Sequence, residues 1–212
     1  MFVRELGEGD ELRLLEARHA DALFALVREN EARLRQWVPW LKHVGTVDGV
    51  ASLIRRRLHR LADGSGWAAG IWHCGRLAGE IGFDFIDGDN RSAEIGYWVA
   101  AASEGKGLVS RACRALIEHA FMELDLTRVQ IRCAVENRRS RSIPERLGFT
   151  LEGRLRSAER LHDRYIDLAV YGLLASEWRP SAGSAPALAA RVPGSTASEE
   201  RIGDPRIPSP GR

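Results

Sequence analysis

The segment Glu104-Gly105-Lys106-Gly107 separates a run of alternating apolar residues from a run with apolar residues three and four apart. The two periods predict a strand, a glycine turn, and a helix that begins with Leu108, Val109 and Ser110. The first turn of a helix leaves backbone N–H groups unpaired, and the positive end of the helix dipole lies behind them. This segment therefore predicts a binding site for a phosphate group.

Two tryptophans, Trp37 and Trp40, flank a proline that ends any helix reaching it. The pair can form a hydrophobic plug against the core. It can also form the aromatic wall of a substrate cleft, because tryptophan is large, rigid and rarely fully buried. The residues alone leave both interpretations open.

Hydrophobic periodicity predicts the elements that must position these residues. It indicates helices over residues 20–29, 50–61, 108–124 and 138–147, and strands at Leu12 and Leu14 and over 67–73, 77–85, 94–99, 128–135, 149–155 and 165–174. Alternation along residues 94–99 places Glu94, Gly96 and Trp98 on one face of their strand. The four arginines of the second helix are expected to face solvent.

Composition restricts the class of protein. The chain has 212 residues, of which 44% are hydrophobic and 28% charged, and a net charge of +2. These values are ordinary for a soluble globular protein, and the charge favours neither nucleic acid nor a membrane surface. No apolar run reaches the roughly 18 residues of a spanning helix, and the N-terminal segment has no apolar signal-peptide region. We therefore expect a cytoplasmic protein.

The cysteines Cys74, Cys113 and Cys133 are widely spaced and form no CxxC pair, so we expect neither a disulfide framework nor a metal site. Beyond residue 179 the composition changes, because six of the eight prolines lie there among Ala, Ser and Gly. Such a segment cannot bury enough apolar surface to offset its ordering entropy. We expect one domain over residues 1–179 and a disordered tail over 180–212.

The order of these elements, together with four motifs, resembles the GCN5-related N-acetyltransferase (GNAT) superfamily. The motifs are Glu94-Ile95-Gly96-Tyr97-Trp98-Val99, the glycine loop, Asn137-Arg138-Arg139-Ser140 and Glu145-Arg146-Leu147-Gly148-Phe149. Over roughly residues 8–178 the chain is similar to the RimJ/RimL-type enzymes, which acetylate the N-terminal amine of ribosomal proteins. The resemblance implies a mixed α/β fold, with a mostly antiparallel twisted sheet that is splayed at an acetyl-CoA site and flanked by helices.

The resemblance places acetyl-CoA between the strand that ends near Val99 and the strand that ends near residue 135. It implies that the cofactor is bound by Trp98, Val99, Gly105, Lys106, Gly107, Leu108, Val109, Ser110 and Asn137. Asn137 serves equally well as a helix N-cap. Two loop residues depart from the family pattern. Glu104 is expected to weaken the affinity or to point into water, and Val109 is tolerated if its φ is helical.

Acetyl transfer to an amine needs a neutral nucleophile, a polarised thioester carbonyl and a proton for the departing thiolate. Pro144 stands where many family members have a proton-donating Tyr. The resemblance to the RimL-like branch instead implies Ser140 as general acid or hydrogen-bond donor to the thiolate. It implies Glu159, just after the second-last strand, as the base, with Glu94 as the competing carboxylate. An inert helical serine and surface ion pairs are the alternatives.

These features predict an enzyme that transfers acetyl from acetyl-CoA to a primary amine by direct attack, with a protein N-terminus as acceptor beside Trp37 and Trp40. A small amine, such as an antibiotic or a polyamine, is the rival acceptor. A non-catalytic acyl-CoA-binding module is the rival of another class, because the expected Tyr is absent. No metal is implied, and because the family often pairs, a homodimer is expected.

Overall fold

Eight strands and five α-helices form within residues 3–179, the part of the chain that the computed structural model describes. The strands are β1 (Val3–Gly7), β2 (Asp10–Leu14), β3 (Trp67–His73), β4 (Arg76–Asp87), β5 (Ser92–Val99), β6 (Arg128–Ala134), β7 (Thr150–Leu161) and β8 (Arg164–Leu174). The helices are α1 (Ala20–Glu29), α2 (Glu31–Leu34), α3 (Val47–Ala62), α4 (Leu108–Met122) and α5 (Arg138–Arg146). The tail predicted for residues 180–212 lies outside the described residues.

All eight strands belong to one sheet in the order β1-β2-β3-β4-β5-β6-β8-β7. Neighbouring strands pair antiparallel except for β5 and β6, which are parallel. The parallel pairing covers only residues 92–94 against 128–130, and beyond it the two strands diverge. The predicted mixed α/β fold, with a mostly antiparallel sheet splayed at one point, is confirmed.

Helices cover both faces of the sheet, and the alternation of β5 shows how the two cores are separated. Ala93 and Ile95 are buried in the core that α4 shares with the sheet. Trp98 is buried in the other core, which α1 and α3 form on the opposite face. The prediction of which residues of 94–99 share a face of the strand is therefore correct. Each large apolar side chain that is fully buried in these cores stabilises the folded state by about 1.5–3 kcal/mol.

Most element boundaries agree with the predictions. Helix α1 and strand β3 begin and end where they were expected. Helix α3 begins at Val47, three residues early, because the Thr46 hydroxyl accepts a hydrogen bond from the Gly49 N–H at 3.1 Å and caps the helix. Strand β1 was not predicted, because only two of its five residues, Val3 and Leu6, are large and apolar.

Strand β7 differs most from its prediction, because it continues to Leu161 instead of ending at residue 155. Its pairing with β8 is interrupted at two places, between Leu151 and Gly153 and between Leu155 and Glu159. These irregularities break the alternation of apolar residues and conceal the strand in the sequence. Glu159 therefore lies inside β7, and the prediction that it follows this strand is wrong.

Helix α5 continues through Pro144 although proline has no N–H to donate to the Ser140 carbonyl. The Tyr97 hydroxyl of β5 donates to that carbonyl instead, at 3.0 Å. The Ser140 hydroxyl lies 3.4 Å from the same phenol oxygen, to which it donates. The proline thus frees a carbonyl through which β5 holds Ser140 in place.

Tyr97→Phe should lower the free energy of unfolding by about 1–3 kcal/mol, because the Ser140 carbonyl then has neither its helical donor nor the phenol. Urea denaturation followed by circular dichroism measures this loss. Tyr165→Phe is the matched control, since Tyr165 is 64% exposed. Equal losses in the two variants would contradict this role of Tyr97.

Candidate active site

A cleft of about 1350 Å³ lies where β5 and β6 diverge. Elements from both halves of the chain line it, including β4, β5, β6, α5 and the loop after β5. Among the residues predicted to act in binding or catalysis, the cleft brings together Trp37, Trp40, Glu94, Trp98, Val99, Gly105, Gly107, Leu108, Val109, Ser110, Asn137, Ser140 and Glu159. Lys106 lines a neighbouring depression of about 420 Å³ instead.

The glycine loop has the backbone geometry that only glycine adopts without strain. Gly105 and Gly107 have φ values of 75° and 74°, in the left-handed region. Gly107 is the N-cap of α4, so the N–H groups of the first helical turn are left for a ligand. Val109 lies inside α4 and is buried, so the expectation that its backbone is helical is met.

Arg111 of α4 anchors the glycine loop. Its guanidinium donates to the Lys106 carbonyl at 2.9 Å, and its Nε donates to the Asp10 carboxylate of β2 at 3.1 Å. The His73 ring contacts the other Asp10 oxygen at 2.6 Å. Burial alone would raise the pKa of Asp10, but the hydrogen bonds to His73 and Arg111 outweigh it and lower the pKa.

One of the two expectations for Glu104 was that its side chain points into water, and that expectation is wrong. Its carboxylate pairs with Arg33 of α2 and with Arg139 of α5, the latter at 2.6 Å. Arg33 also donates to the Val99 carbonyl at the end of β5. Two guanidinium groups thus outweigh one carboxylate beside the loop, and the local charge favours an anion.

Asn137 and Ser140 meet at the start of α5. The Asn137 side chain accepts a hydrogen bond from the Ser140 N–H at 3.1 Å, so Asn137 is an N-cap, as one interpretation had it. Cys133 lies behind Ser140, and its burial raises the pKa of the thiol to about 11, which the hydrogen bond with Ser140 opposes. Ser140 is therefore fixed at the splay, beside a thiol that stays protonated.

The two carboxylates predicted as bases differ in their surroundings. Glu94 accepts a hydrogen bond from Gln130 at 2.8 Å and pairs with Arg132 at 2.8 Å. Glu159 makes no hydrogen bond or ion pair to another residue within 3–179. Burial raises the pKa of Glu159, Arg132 opposes this shift, and Glu94 adds to it. Glu159 is thus free for chemistry, whereas Glu94 is occupied.

Trp37 and Trp40 each pack against a core cluster and also line the cleft, and their contact with a substrate stays a prediction. Trp37 packs against a small core cluster that includes Leu161 and Leu168, while it also lines the cleft. Trp40 lies near Trp98, with 6.4 Å between the ring centroids. The indole N–H of Trp98 is buried without a hydrogen-bond partner among the described residues, so a ligand in the cleft can satisfy it.

The prediction that the α3 arginines form a solvated face is wrong for two of them. Arg57 pairs with Glu80 of β4 and lies 5.6 Å from the centroid of the Trp40 ring. Arg60 donates to the backbone carbonyls of Ser65 and Asp84. Helical periodicity showed that these residues lie off the apolar stripe, but it could not show that a cleft faces them.

The cleft combines a glycine loop that suits an anion, a splay between strands, a hydrogen-bonded serine hydroxyl and the unpaired carboxylate of Glu159. This arrangement suits the transfer of an acyl group from a phosphate-bearing carrier to a nucleophile that needs a base. The fold and the site together define the class of acetyltransferases with a splayed central sheet.

Comparisons with known proteins identify the family. The model of the acetyltransferase (GNAT) domain matches residues 11–150. The chain is 41% identical over 179 residues to the putative ribosomal N-acetyltransferase YdaF of Bacillus subtilis strain 168, covering 84% of this chain and 98% of that protein. It is 32% identical over 167 residues to the ribosomal-protein-serine acetyltransferase of Escherichia coli K12, covering 79% and 93%.

A solved structure of the RimL ribosomal alpha-N-protein acetyltransferase, in complex with coenzyme A as a cysteine disulfide, has a TM-score of 0.79 at 29% identity. The similarity covers 82% of this chain and 98% of that one. The chain belongs to the GNAT acetyltransferase family, in its RimJ/RimL-type branch. It is an acetyl-CoA-dependent N-acetyltransferase, and acetyl-CoA is its acyl donor.

Two observations concern other classes of protein. None of the helices formed by residues 3–179 is long and apolar enough to cross a membrane. Within the same residues, no three His, Cys, Asp or Glu side chains are grouped so that they could hold a metal ion.

Arg111→Met should raise the KM for acetyl-CoA about tenfold with little change in kcat, because the loop loses the hydrogen bonds that fix it. Steady-state kinetics at varied acetyl-CoA concentration measure the two parameters separately. Arg56→Met is the control, since Arg56 lies on the exposed face of α3. An unchanged KM in the Arg111 variant would show that the loop does not need this anchor.

Proposed function

We propose that the acceptor is the N-terminal amine of a protein. Two similar proteins support this by name, the RimL alpha-N-protein acetyltransferase and a Salmonella typhimurium acetyl transferase that modifies the N-terminal serine of ribosomal protein L7/L12. The size and composition of the cleft support this proposal. Its volume of about 1350 Å³ exceeds the roughly 300–1000 Å³ of ordinary ligand pockets. The cleft therefore has room for both the donor and the end of a polypeptide, which the Trp37 and Trp40 rings would contact.

The chemistry of the acceptor agrees with a site that holds only carboxylates as bases. An N-terminal amine has a pKa of about 7.7–8, so roughly a third of it is neutral near pH 7.5. For a lysine side chain the neutral fraction is about a thousandth. For an N-terminal amine, a carboxylate that removes one proton suffices. For a lysine the neutral fraction is lower by about three orders of magnitude, and the enzyme would have to make up this difference.

The donor half of the cleft would hold the cofactor through the backbone. The N–H groups from Gly105 to Ser110 would bind the pyrophosphate, and the Lys106 side chain, which lines the neighbouring depression, would add a positive charge beside the loop. Asn137 would donate its amide N–H groups to the pantetheine arm while its oxygen caps α5. Trp98 and Val99 would line the thioester, where a backbone N–H would polarise the carbonyl.

Ser140 would supply the proton, or the hydrogen bond, that the departing thiolate needs. Its hydroxyl lies at the splay, where it donates to the Tyr97 phenol at 3.4 Å. On the acceptor side Glu159 is better suited than Glu94 to take the amine proton, because Glu94 is paired with Arg132. A cytoplasmic location and a homodimer, both expected from the sequence, stay predictions.

Incubation with acetyl-CoA should acetylate peptides that begin with Ser or Ala at their N-terminal amine. Intact-mass analysis detects the acetyl group, and a thiol reagent detects the released coenzyme A. The matched control is the same peptide with a blocked N-terminus and a free lysine, which should not react. Acetylation of the lysine or of polyamines, without reaction at the N-terminus, would overturn the proposed acceptor.

Ser140→Ala should lower kcat about 100-fold and leave acetyl-CoA affinity nearly unchanged, because the thiolate loses its donor while the loop is intact. Rapid-quench kinetics and calorimetry measure the two quantities. Ser176→Ala, in an exposed turn after β8, serves as the control. Unaltered turnover of the Ser140 variant would mean that thiolate release needs no donor there.

A further inference from the structure

A carboxylate that the sequence did not indicate occupies a bulge in β4. Phe83 pairs with Ile95 and Phe85 pairs with Glu94, so Asp84 is the extra residue between two successive pairs. Bulges of this kind are frequent beside active sites, where they redirect a side chain. Here the bulge turns the Asp84 carboxylate across β5, toward the cleft that it lines.

The floor of the cleft beside Asp84 is bare backbone. A Cβ at Gly96 would overlap the Asp84 carboxylate, so the side chain lies in the space that a residue other than glycine would fill. Gly82 pairs with Gly96 on the same face, and the next pair along the two strands is Glu80 with Trp98. On this face of β5, Gly96 is followed by Trp98, near the end of the strand.

The backbone of the bulge is held while its carboxylate is left free. Arg60 of α3 donates to the Asp84 carbonyl and, at 3.0 Å, to the Ser65 carbonyl. Arg57, the other guanidinium of α3 at the cleft, pairs with Glu80. The Asp84 carboxylate itself has no hydrogen bond or ion pair to any residue within 3–179. The backbone of Asp84 is thus fixed, and its carboxylate has no partner among these residues.

The surroundings of Asp84 suit a proton acceptor. Asp84 is exposed on the side of the cleft. Desolvation by the neighbouring protein raises the pKa of its carboxyl to about 6. The positive charges of Arg57 and Arg60 oppose the shift, and the negative charges of Glu94 and Glu80 add to it. A carboxylate with a pKa near 6 accepts a proton from an amine far better than one near 4.

We propose that Asp84 is the general base of this acetyltransferase, which takes the proton of the acceptor ammonium beside Gly96. This assignment rests on the proposed transfer to a primary amine. Asp84 lies on β4, which pairs directly with β5, whereas Glu159 lies on β7, with β8 and β6 between it and β5. Of the two unpaired carboxylates of the cleft, Asp84 and Glu159, Asp84 therefore lies on the strand nearer in the sheet to β5, which would line the thioester.

The step balances without any further reactant. One proton moves from the ammonium nitrogen to an Asp84 oxygen, and the freed electron pair forms a bond to the thioester carbonyl carbon. The π bond of the carbonyl breaks as this bond forms, and its electrons move to the carbonyl oxygen. When the tetrahedral intermediate collapses, the carbon–sulfur bond breaks and the thiolate takes a proton from Ser140. The amide nitrogen loses its second proton, which restores the Ser140 hydroxyl through solvent. When the products leave, the Asp84 carboxyl gives its proton to solvent and becomes a carboxylate again, and this is the one proton that the overall reaction releases.

The test compares variants of the full chain with acetyl-CoA and a peptide that the wild type acetylates. Asp84→Asn should lower kcat/KM for the peptide about 100-fold near pH 7 and leave acetyl-CoA affinity unchanged. Above about pH 8 the deficit should shrink, because the amine then loses its proton unaided. Asp84→Glu, which keeps a carboxylate, should recover part of the activity, and this recovery separates a lost base from a misfolded bulge.

Asp89→Asn is the matched control, because it removes the same charge from an exposed turn just after β4 and should change kcat/KM less than about twofold. Equal activity of Asp84→Asn and Asp89→Asn would overturn the proposal. A deficit that is independent of pH would also overturn it, since Asp84 would then only bind substrate. If Glu159→Gln alone shows the pH-dependent loss, the base is Glu159.

If the wild type acetylates no peptide, the result concerns the proposed acceptor and not the proposed base. If the wild type acetylates a small primary amine but no peptide, the protein acceptor is wrong, and the same variants are compared with that amine. A deficit of Asp84→Asn that recovers at high pH would then still support Asp84 as the base. The two proposals therefore fail through different observations.

Discussion

The early end of the parallel pairing between β5 and β6 is the constraint on which the site depends. The two strands are joined through α4, and their pairing stops at Glu94 and Gln130. The side chains of these two residues are hydrogen-bonded to each other at 2.8 Å, which closes the base of the splay. Beyond this point neither strand offers the other a ladder partner, so backbone groups are left for a ligand at the carboxyl ends of parallel strands.

The charged residues of the cleft fall into two groups with different physical roles. Glu80, Glu94 and Glu104 are each paired with at least one arginine, which compensates for the cost of taking charges out of water. Asp84 and Glu159 have raised pKa values, and the residues described offer neither of them a partner. Structural ion pairs thus hold the walls, and the carboxylates left over are the ones available for proton transfer.

Local features of the sequence predicted the glycine turn before α4 and the cap of α5. The left-handed backbone of Gly105 and Gly107 and the capping of α5 by Asn137 depend on a few neighbouring residues, so residue type and spacing reveal them. The acceptor half was predicted less well. A one-residue bulge places Asp84 in the cleft, and a second irregularity brings Glu159 inside β7, but neither changes the composition that periodicity measures.

The sequence by itself determined the order of nearly all the elements, the faces of β5 and the glycine loop, because hydrophobic period and backbone preference act over a few residues. Only the tertiary structure decided which charges are paired. Arg111 of α4 reaches Asp10 across 101 positions, and Arg33 of α2 pairs with Glu104 in the glycine loop. Such pairs form because the sheet brings distant residues within hydrogen-bond distance. Whether a carboxylate holds the structure or is free to act therefore depends on contacts that no local pattern records.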